Sequence, residues 1–429
     1  NMESDHLTMK ILLINSADVK GGAAKVGYHL AQGLRDRAHD ITYLVGKKFS
    51  QEDWIQEIPK LKTGNPRALS QRVIHRLGIN NLGLRSNFPF QLSQSFLQEF
   101  DLIHLHDLPS FNLLGFPWLT WQRPTVWTLH TLAPFTGNCL YPYDCDRWQK
   151  SCGQCPQFGQ WPLLWLHRDA SGFNLFAKRW AYRFSRLQQV VAVSEWLSRQ
   201  ARQGILGEFP IQTILNPVDT GLYRPLHQKA ELREQFQIPK EANVILFSVA
   251  SKLIDTRKGL DIILDALPKV QTPNLFLIPL GITDQSAEIE AKLASYNHLP
   301  FQSVADPQEL NRLLNVADLI WHPSRADTSS LVILESFAAG VPAIAAAVGG
   351  VSEIMTHGET GYLIPPNDPE RLAQKTNEFF ALSSQEQAKM AKAARDRAEK
   401  KFSLERFIDE HESLYQKLLT KRNPPLNNA

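Results

Sequence analysis

Cysteine and methionine are scarce, four of each in 429 residues, and neither sign of charge dominates: 46 Lys and Arg stand against 43 Asp and Glu, a net +3. Such a balance excludes a dedicated nucleic-acid binder, and no recognition motif for one is present. Long apolar runs are missing too. The longest nearly uncharged stretches, Leu113–Trp121 and Gly340–Val351, fall short of the ~18–20 residues that span a bilayer. Asn1–Lys10 holds no apolar segment of signal-peptide length, so the expectation is a cytoplasmic protein with a disordered lead before a first strand at Lys10. Glycine and proline (23 and 26) follow no period, which excludes collagen-like sequence, and no 20–50-residue repeat occurs. Neither Gly-x-Gly-x-x-Gly nor a phosphate-loop lysine motif is found, which argues against dinucleotide binding of the usual kind.

What remains is a globular composition, 43% hydrophobic and 21% charged, long enough for two or three domains with cores of their own. The small net charge hides an asymmetry: residues 1–218 carry +7 and residues 219–429 carry −4. Two lobes with different partners would show this pattern.

Short apolar runs alternate with helical periodicity through both halves. Lys10–Asn15, Ile41–Val45, Asp101–Leu105, Thr125–Leu129 and Val190–Val193 read as buried strands, with an amphipathic helix at Ala23–Arg35. The pattern restarts at Asn243–Val249 and continues through Leu275–Leu280, Phe301–Val304, Leu319–His322 and Ala343–Ala346. Helices are expected at Gly259–Leu267, Gln308–Asn315, Leu331–Ala339, Pro369–Ala381, Ser384–Phe402 and Glu405–Leu419. The expectation is α/β: two Rossmann-like, doubly wound parallel-sheet domains facing a cleft. The turn-rich Asn216–Pro225 marks the boundary, giving domains 1–218 and 219–402. Residues 403–429 form a last helix returning to the first domain, then a frayed tail from Asn423.

Ligands of open α/β sheets sit beyond the carboxyl ends of the strands. After Leu319–His322 the chain reads Pro-Ser-Arg-Ala-Asp327-Thr-Ser-Ser330-Leu331-Val332-Ile-Leu-Glu335, then Ala-Ala-Gly340-Val-Pro342. Ser329 or Ser330 suits an N-cap, Gly340 the position just past the helix, and Pro342 a stop. Asp327 then lies in the loop before a helix and Glu335 inside it. Free N–H groups at that helix start favour an anion, and flanking carboxylates suit hydroxyl-rich ligands because they only accept hydrogen bonds. A capped surface helix with a solvated Glu335 fits the same spacing.

Asp-x7-Glu, followed by Ala-Ala-Gly-Val-Pro, Gly349-Gly350-Val-Ser-Glu353 and Glu359-Thr-Gly-Tyr-Leu-Ile-Pro365, resembles retaining glycosyltransferases of the GT-B fold, specifically glycosyltransferase family 4 (group 1). The family signature is Glu-x7-Glu; Asp327 replaces its first Glu, which bears on sugar selectivity or reach. The resemblance covers most of the chain and is strongest over residues 318–370. It implies that Glu335 holds the nucleotide's ribose hydroxyls and Asp327 contacts the transferred sugar. Backbone amides of Leu331 and Val332, beside Ser330, would approach the donor, and Gly349 and Gly350 would let the backbone come close to the nucleotide. Lys258-Gly259 matches the family's diphosphate-clamping Lys-Gly; the partnering cation is either Lys252 or Arg257. Cations at a helix start are unfavourable unless an anion binds there.

In the first half, Ser16–Lys25 carries Gly21-Gly22 between strand and helix. A Gly-Gly pair is commonly a plain turn; the resemblance makes Gly22 a donor-side candidate. His130 directly follows Thr125–Leu129, at the carboxyl end of its strand, and the resemblance implies contact with the donor sugar near its C6 hydroxyl. His104, His106 and Asp107 end the neighbouring strand. His106 and Asp107 are acceptor candidates, with a buried hydrogen-bonded network as the other reading.

All four cysteines, Cys139, Cys145, Cys152 and Cys155, fall within one segment that has a single Cys-x2-Cys knuckle. Structural zinc, disulfides and free thiols all remain open. Trp161–Arg168 and Phe173–Arg186 mix aromatics with cations. With Arg67, Arg72, Arg76 and Arg85 they read either as an interfacial, membrane-facing patch or as an ordinary helix with aromatics inside.

Together these readings imply an enzyme moving a sugar from a nucleoside-diphosphate sugar, of UDP or GDP type, to a hydroxyl of a sugar or lipid-linked acceptor. The resemblance implies retention of configuration, as a hexosyltransferase in polysaccharide or glycolipid synthesis. Front-face attack is expected, the donor phosphate taking the acceptor's proton, with no cofactor or metal required for catalysis. Cytoplasmic placement, with a peripheral site on the inner face of the membrane, is the matching location. The rivals are a GT-B nucleotide-sugar epimerase and a non-catalytic nucleotide-sugar-binding scaffold.

Overall fold

A computed structural model describes residues 8–58, 77–79, 88–107, 113–137, 139–160, 168–248, 255–281 and 287–422. The chain divides into two compact units, Asn1–Leu215 with Phe407–Ala429, and Asn216–Arg406.

The first unit is built on a parallel sheet of β1 (Lys10–Ala17), β2 (Asp40–Lys47), β3 (Ile55–Glu57), β4 (Leu102–Leu105), β5 (Thr125–Leu129), β6 (Leu187–Ala192) and β7 (Ile211–Thr213). Their spatial order is β3-β2-β1-β4-β5-β6-β7. Ile11 to Ile14 of β1 are all buried, the mark of a strand covered on both faces. One cluster, including Leu12, Ile103, Trp127, Leu129 and Val190, fills a face of this sheet. The last helix, Leu404–Arg422, packs in this unit from Phe407 onward. Ion pairs Arg37–Asp409 (2.6 Å) and Arg37–Glu412 (2.7 Å) fix it, and Ile408 lies so close to Gly33 that a Cβ there would meet it at 2.6 Å.

The second unit repeats the plan with β8 (Asn243–Ser248), β9 (Leu275–Leu280), β10 (Asn297–His298), β11 (Leu319–His322), β12 (Ala343–Ala346) and β13 (Gly361–Ile364), in the order β10-β9-β8-β11-β12-β13. Its core includes Ile245, Phe247, Trp321, Ile344 and Phe379. Pro-capped helix starts at Asp306-Pro307 and Asp368-Pro369, and a capping box at Ser383 and Glu386, set the outer helices.

One expected strand is displaced. Phe301–Val304 is not a strand; the edge strand is Asn297–His298, paired with Phe276 and Leu277, and Gln302 adds only a single bridge to Leu280. The ladder to β9 runs through Leu299, whose N–H donates to Leu277 O, and breaks at Pro300-Phe301 before touching β9 again at Gln302. The short strands β3, β7 and β13 were not separable by apolar pattern.

In each sheet the strand order reverses at one place, between β1 and β4 and between β8 and β11. Those reversals are where open α/β sheets leave room for ligands.

Candidate functional site

In the second unit the reversal is flanked by two loops, 255–259 after β8 and 323–330 after β11, stitched by main chain. Arg325 N–H donates to Arg257 O at 2.7 Å, and Arg257 donates through Nη1 to Ala326 O at 3.3 Å. Asp255 caps the turn Thr256–Lys258 by accepting from Arg257 N–H (3.1 Å). Gly259 then adopts φ +73°, where an added Cβ would lie 2.4 Å from Pro323 O. Only glycine turns the chain this tightly. Lys258 Nζ is thereby held 3.1 Å from Asp327 Oδ2.

Asp327 is buried, and its second oxygen, Oδ1, accepts from Ser329 N–H (3.2 Å). His322 Nε2, the last residue of β11, lies 3.3 Å from Oδ2. Burial alone would raise the Asp327 pKa. The charges of Lys258, His322 and Arg257 outweigh it and hold the carboxyl far below the usual range. Burial pushes His322 down, with Asp327 opposing.

The following helix, Leu331–Ala338, starts at the N-cap Ser330, whose Oγ accepts from Ile333 N–H at 3.4 Å. It ends in a Schellman motif: Gly340 at φ +76°, with Gly340 N–H on Phe337 O and Val341 N–H on Ser336 O. The first N–H groups, at Leu331 and Val332, have no acceptor one turn back within the helix. Glu335, one turn inside, is buried and accepts a hydrogen bond from the Tyr223 hydroxyl. Burial first, then this carboxylate, pushes the Tyr223 pKa up. After β12, Gly349 has φ +52° and an added Cβ would sit 1.9 Å from Asp327 O, while Gly350 N–H donates to that same carbonyl at 3.1 Å. The close approach Gly349 permits is thus to Asp327's own backbone. Lys252 lies outside the described residues, leaving Arg257 as the described candidate cation beside Lys258.

In the first unit the reversal between β1 and β4 is flanked by Gly22, His106 and Asp107. Gly22 is exposed at the start of the helix Gly22–Asp36, after Gly21 at φ +109°. Asp18, not anticipated from sequence, shapes this loop. It is buried and accepts from the N–H groups of Val19, Phe49 and Ser50. Burial opposes its ionisation, and those donors more than offset it, so its pKa is lowered.

His130 and His106 are joined, Nδ1 of His106 lying 3.0 Å from Nε2 of His130. His104 stacks on His106 with ring centroids 4.4 Å apart. His104 hydrogen-bonds through Nδ1 to Tyr415 Oη (2.5 Å) and through Nε2 to Thr128 Oγ1 (2.7 Å). His411 adds a fourth ring 5.6 Å from His104. Burial is the main cause that lowers the pKa of each of the first three, with neighbouring imidazoles adding to it; His130 is pushed down to about 3. His106 is buried, with Nδ1 against His130 and Nε2 buried without a hydrogen-bond partner among the described residues, so of the two acceptor candidates only Asp107 is exposed, where Ser16 Oγ donates to it at 3.4 Å.

The cysteines correct a reading of their spacing. All four are free thiols, and among the described residues no group of three or more His, Cys, Asp or Glu is arranged to hold a metal ion. Neither structural zinc nor disulfides at Cys139, Cys145, Cys152 and Cys155 is supported. Instead the Cys139 thiol donates to Cys155, which raises the former and lowers the latter to about 6. Cys152 Sγ accepts from Gly137 N–H at 3.3 Å. Contacts to main chain hold the segment. Arg147 bridges the carbonyls of Gly153 and Gln154, Asp169 takes the Cys155 N–H, and the buried Lys178 ammonium donates to Ala133 O and Thr136 O.

Comparison with known proteins agrees with this double architecture. Residues 228–397 match the family of glycosyl transferases group 1, and residues 20–222 match Glycosyltransferase Family 4. The chain belongs to this family. The D-inositol 3-phosphate glycosyltransferase of Jonesia denitrificans is 27% identical over 291 residues, 64% of this chain and 62% of that protein. The N-acetyl-alpha-D-glucosaminyl L-malate synthase of Bacillus anthracis is 25% identical over 233 residues, 54% and 60% respectively. The chain thus spans about three-fifths of the length of these curated relatives. Among solved structures, a sucrose-phosphate synthase from Thermosynechococcus elongatus aligns with TM-score 0.68 at 19% identity, over 96% of this chain and 100% of that one. Anabaena HepE in complex with UDP aligns with TM-score 0.67 at 19% identity, over 95% and 100%. The fold is GT-B.

Proposed function

We propose that this chain transfers a sugar from a nucleoside-diphosphate sugar to a hydroxyl acceptor, with retention of configuration. One observation carries the reading: the buried Asp327 paired with the half-buried Lys258 beside the start of the helix Leu331–Ala338, with Glu335 buried one turn inside. Cations gathered at a helix N-terminus suit an anion. Lys258 and Arg257 take the donor diphosphate, and the amides of Leu331 and Val332 add to its hold. When the diphosphate draws Lys258 away, His322 remains against Asp327 and keeps that carboxylate in place. Glu335, oriented by Tyr223, accepts from the ribose hydroxyls. His130, neutral and braced by His106, meets the sugar. The chain then works by positioning and by stabilising the leaving diphosphate.

A UDP-type donor is favoured because the fold neighbour HepE is complexed with UDP. The acceptor is a sugar or lipid-linked hydroxyl, in polysaccharide or glycolipid synthesis. Thermal unfolding against UDP, GDP, ADP and TDP tests the donor half. A ligand at a hundred times its Kd adds about 2.7 kcal/mol, so one diphosphate should raise the melting temperature. Glu335→Ala should abolish that rise while the protein stays folded. No rise with any of them would overturn the reading.

A further inference from the structure

The helix Ser171–Arg183 turns the wrong residues outward for an ordinary amphipathic helix. Phe173, Phe176 and Trp180, spaced i, i+3, i+7 on one face, are 49%, 64% and 47% exposed, and Phe184 at its end is 52% exposed. Its inward face is the more polar by name, burying Ser171, Asn174 and Lys178 beside Leu175, Ala181 and Tyr182. Of the two readings of this segment, the one with its aromatics inside is overturned for Phe173, Phe176, Trp180 and Phe184, and holds for Tyr182. Those four stand out over about 16 Å of helix.

The neighbouring helix Gly115–Gln122 packs on this one and extends the surface. Trp121, 56% exposed, donates its Nε1–H to Phe184 O (2.9 Å), and the Arg186 guanidinium lies 3.6 Å from its ring centroid. Trp180 and Phe184 rings are 5.0 Å apart. Exposed Arg179, Arg183 and Arg186 edge these rings. The sequence supplying the surface has no Asp or Glu between Asp107 and Asp144, nor between Asp169 and Glu195. One carboxylate, Glu208, lines the groove beside Arg179 and Arg183.

We propose that this face docks on an anionic lipid bilayer, the rings entering the headgroup region and the arginines meeting lipid phosphates. Projecting aromatics with cations and almost no carboxylate are complementary to a negatively charged apolar–polar boundary. A contiguous exposed apolar patch of this kind marks an interaction surface. Among the described residues no helix is long and apolar enough to cross a membrane, so the contact is interfacial. Arg67, Arg72, Arg76, Arg85 and residues 161–167 lie outside the described residues and are not counted in this face.

The full chain is mixed with vesicles of phosphatidylcholine alone, or of phosphatidylcholine with a third phosphatidylglycerol, and sedimented without any sugar nucleotide or acceptor. The expected result is binding to the anionic vesicles at least about tenfold tighter than to the neutral ones, weakening with salt. Phe176→Ser with Trp180→Ser should weaken it about tenfold. Arg179→Gln with Arg183→Gln should weaken it and flatten its salt dependence. Failure of the chain to bind anionic vesicles, or wild-type binding by both double variants, would overturn the proposal. So would a lipid-free dimer that Phe176→Ser with Trp180→Ser dissociates, since a second copy would then cover the face. Because no donor is present, failure here leaves the glycosyl-transfer reading standing, and failure of that reading leaves this result standing.

Discussion

The two units present similar sheets but different electrostatics at their strand-order reversals. The second unit places full charges there: Lys258, Asp327 and the cation Arg257, with Asp327 held ionised against its burial. The first unit meets its acids Asp18 and Asp107 there with N–H and hydroxyl donors and adds neutral rings: His104, His106 and His130, each pushed below its ordinary pKa by burial and by other imidazoles. Paired charge is suited to holding a diphosphate. Uncharged hydrogen-bonding rings are suited to sugar hydroxyls, which need direction more than charge. The contrast teaches that a duplicated scaffold specialises through the residues at the carboxyl ends of its strands, and it can be broken or sharpened by experiment.

The largest effect is expected at Lys258. Lys258→Ala should lower the transfer rate by about a hundredfold or more. It should also destabilise the second unit by about 3–5 kcal/mol, because Asp327 stays buried without its main counter-charge. Lys258→Ala with Asp327→Asn should recover much of the melting temperature and none of the rate. If stability and rate recover together, the pair is structural and the charged reading of this unit is lost.

The next effect separates the units by pH. A histidine whose folded pKa is depressed binds protons only when unfolded, so it costs stability as pH falls below about 6.5. The first unit has three such groups and the second has His322. Each contributes at most about 1.4 kcal/mol per pH unit, so the first unit should lose stability about three times as steeply. Asp327 has the depressed carboxyl sign: its contribution is present above about pH 4 and is lost below that. Nine of the ten tryptophans precede residue 216, and Trp321 alone lies in the second unit. Acid titration should therefore change tryptophan fluorescence before the full loss of helical circular dichroism. Coincident curves would refute the contrast.

A smaller effect is expected on turnover. His130, pushed down to about 3 by burial, is neutral around pH 6.5. The rate should show no limb near pH 6.5 that disappears in His130→Gln, and that variant should lose about tenfold in rate. A limb that vanishes with His130 would mean the ring works as a titrating acid or base.

Much of this arrangement was legible in the sequence because it rests on local chemistry. Asp327, Ser330, Glu335 and Gly340 are read from cap and stop signals within one strand–loop–helix unit, and Gly349 from the family resemblance. Most strands announced themselves as apolar runs. What escaped depended on distant residues or cancelled signals. His322 ends a strand and reads as core, and Tyr223 reaches Glu335 from more than a hundred residues away. Tyr415 and His411 join the imidazole column from the last helix, which nothing near His104 foretells. Asp18 is a lone acid whose donors, Phe49 and Ser50, come from another loop. The outward aromatics of Ser171–Arg183 keep helical spacing, and spacing alone does not say which side is buried.

The smallest prediction compares two serine caps at equivalent places, each opening the helix after a strand. Ser194 Oγ accepts from Leu197 N–H at 3.2 Å, and Ser330 Oγ from Ile333 N–H at 3.4 Å. An N-cap serine is worth about 1 kcal/mol, and the longer contact is the weaker one. Without ligand, Ser194→Ala should therefore lower the melting temperature at least as much as Ser330→Ala. With the diphosphate that stabilises the wild type, the order should reverse. Ser330 fixes the helix start whose amides at Leu331 and Val332 are proposed to meet the donor, so its loss should reduce the ligand-induced rise. Ser194→Ala should leave that rise intact, because its helix lies in the first unit and the Lys258–Asp327 pair in the second. An equal ligand-induced rise in both variants would mean that the donor does not use the start of the helix Leu331–Ala338.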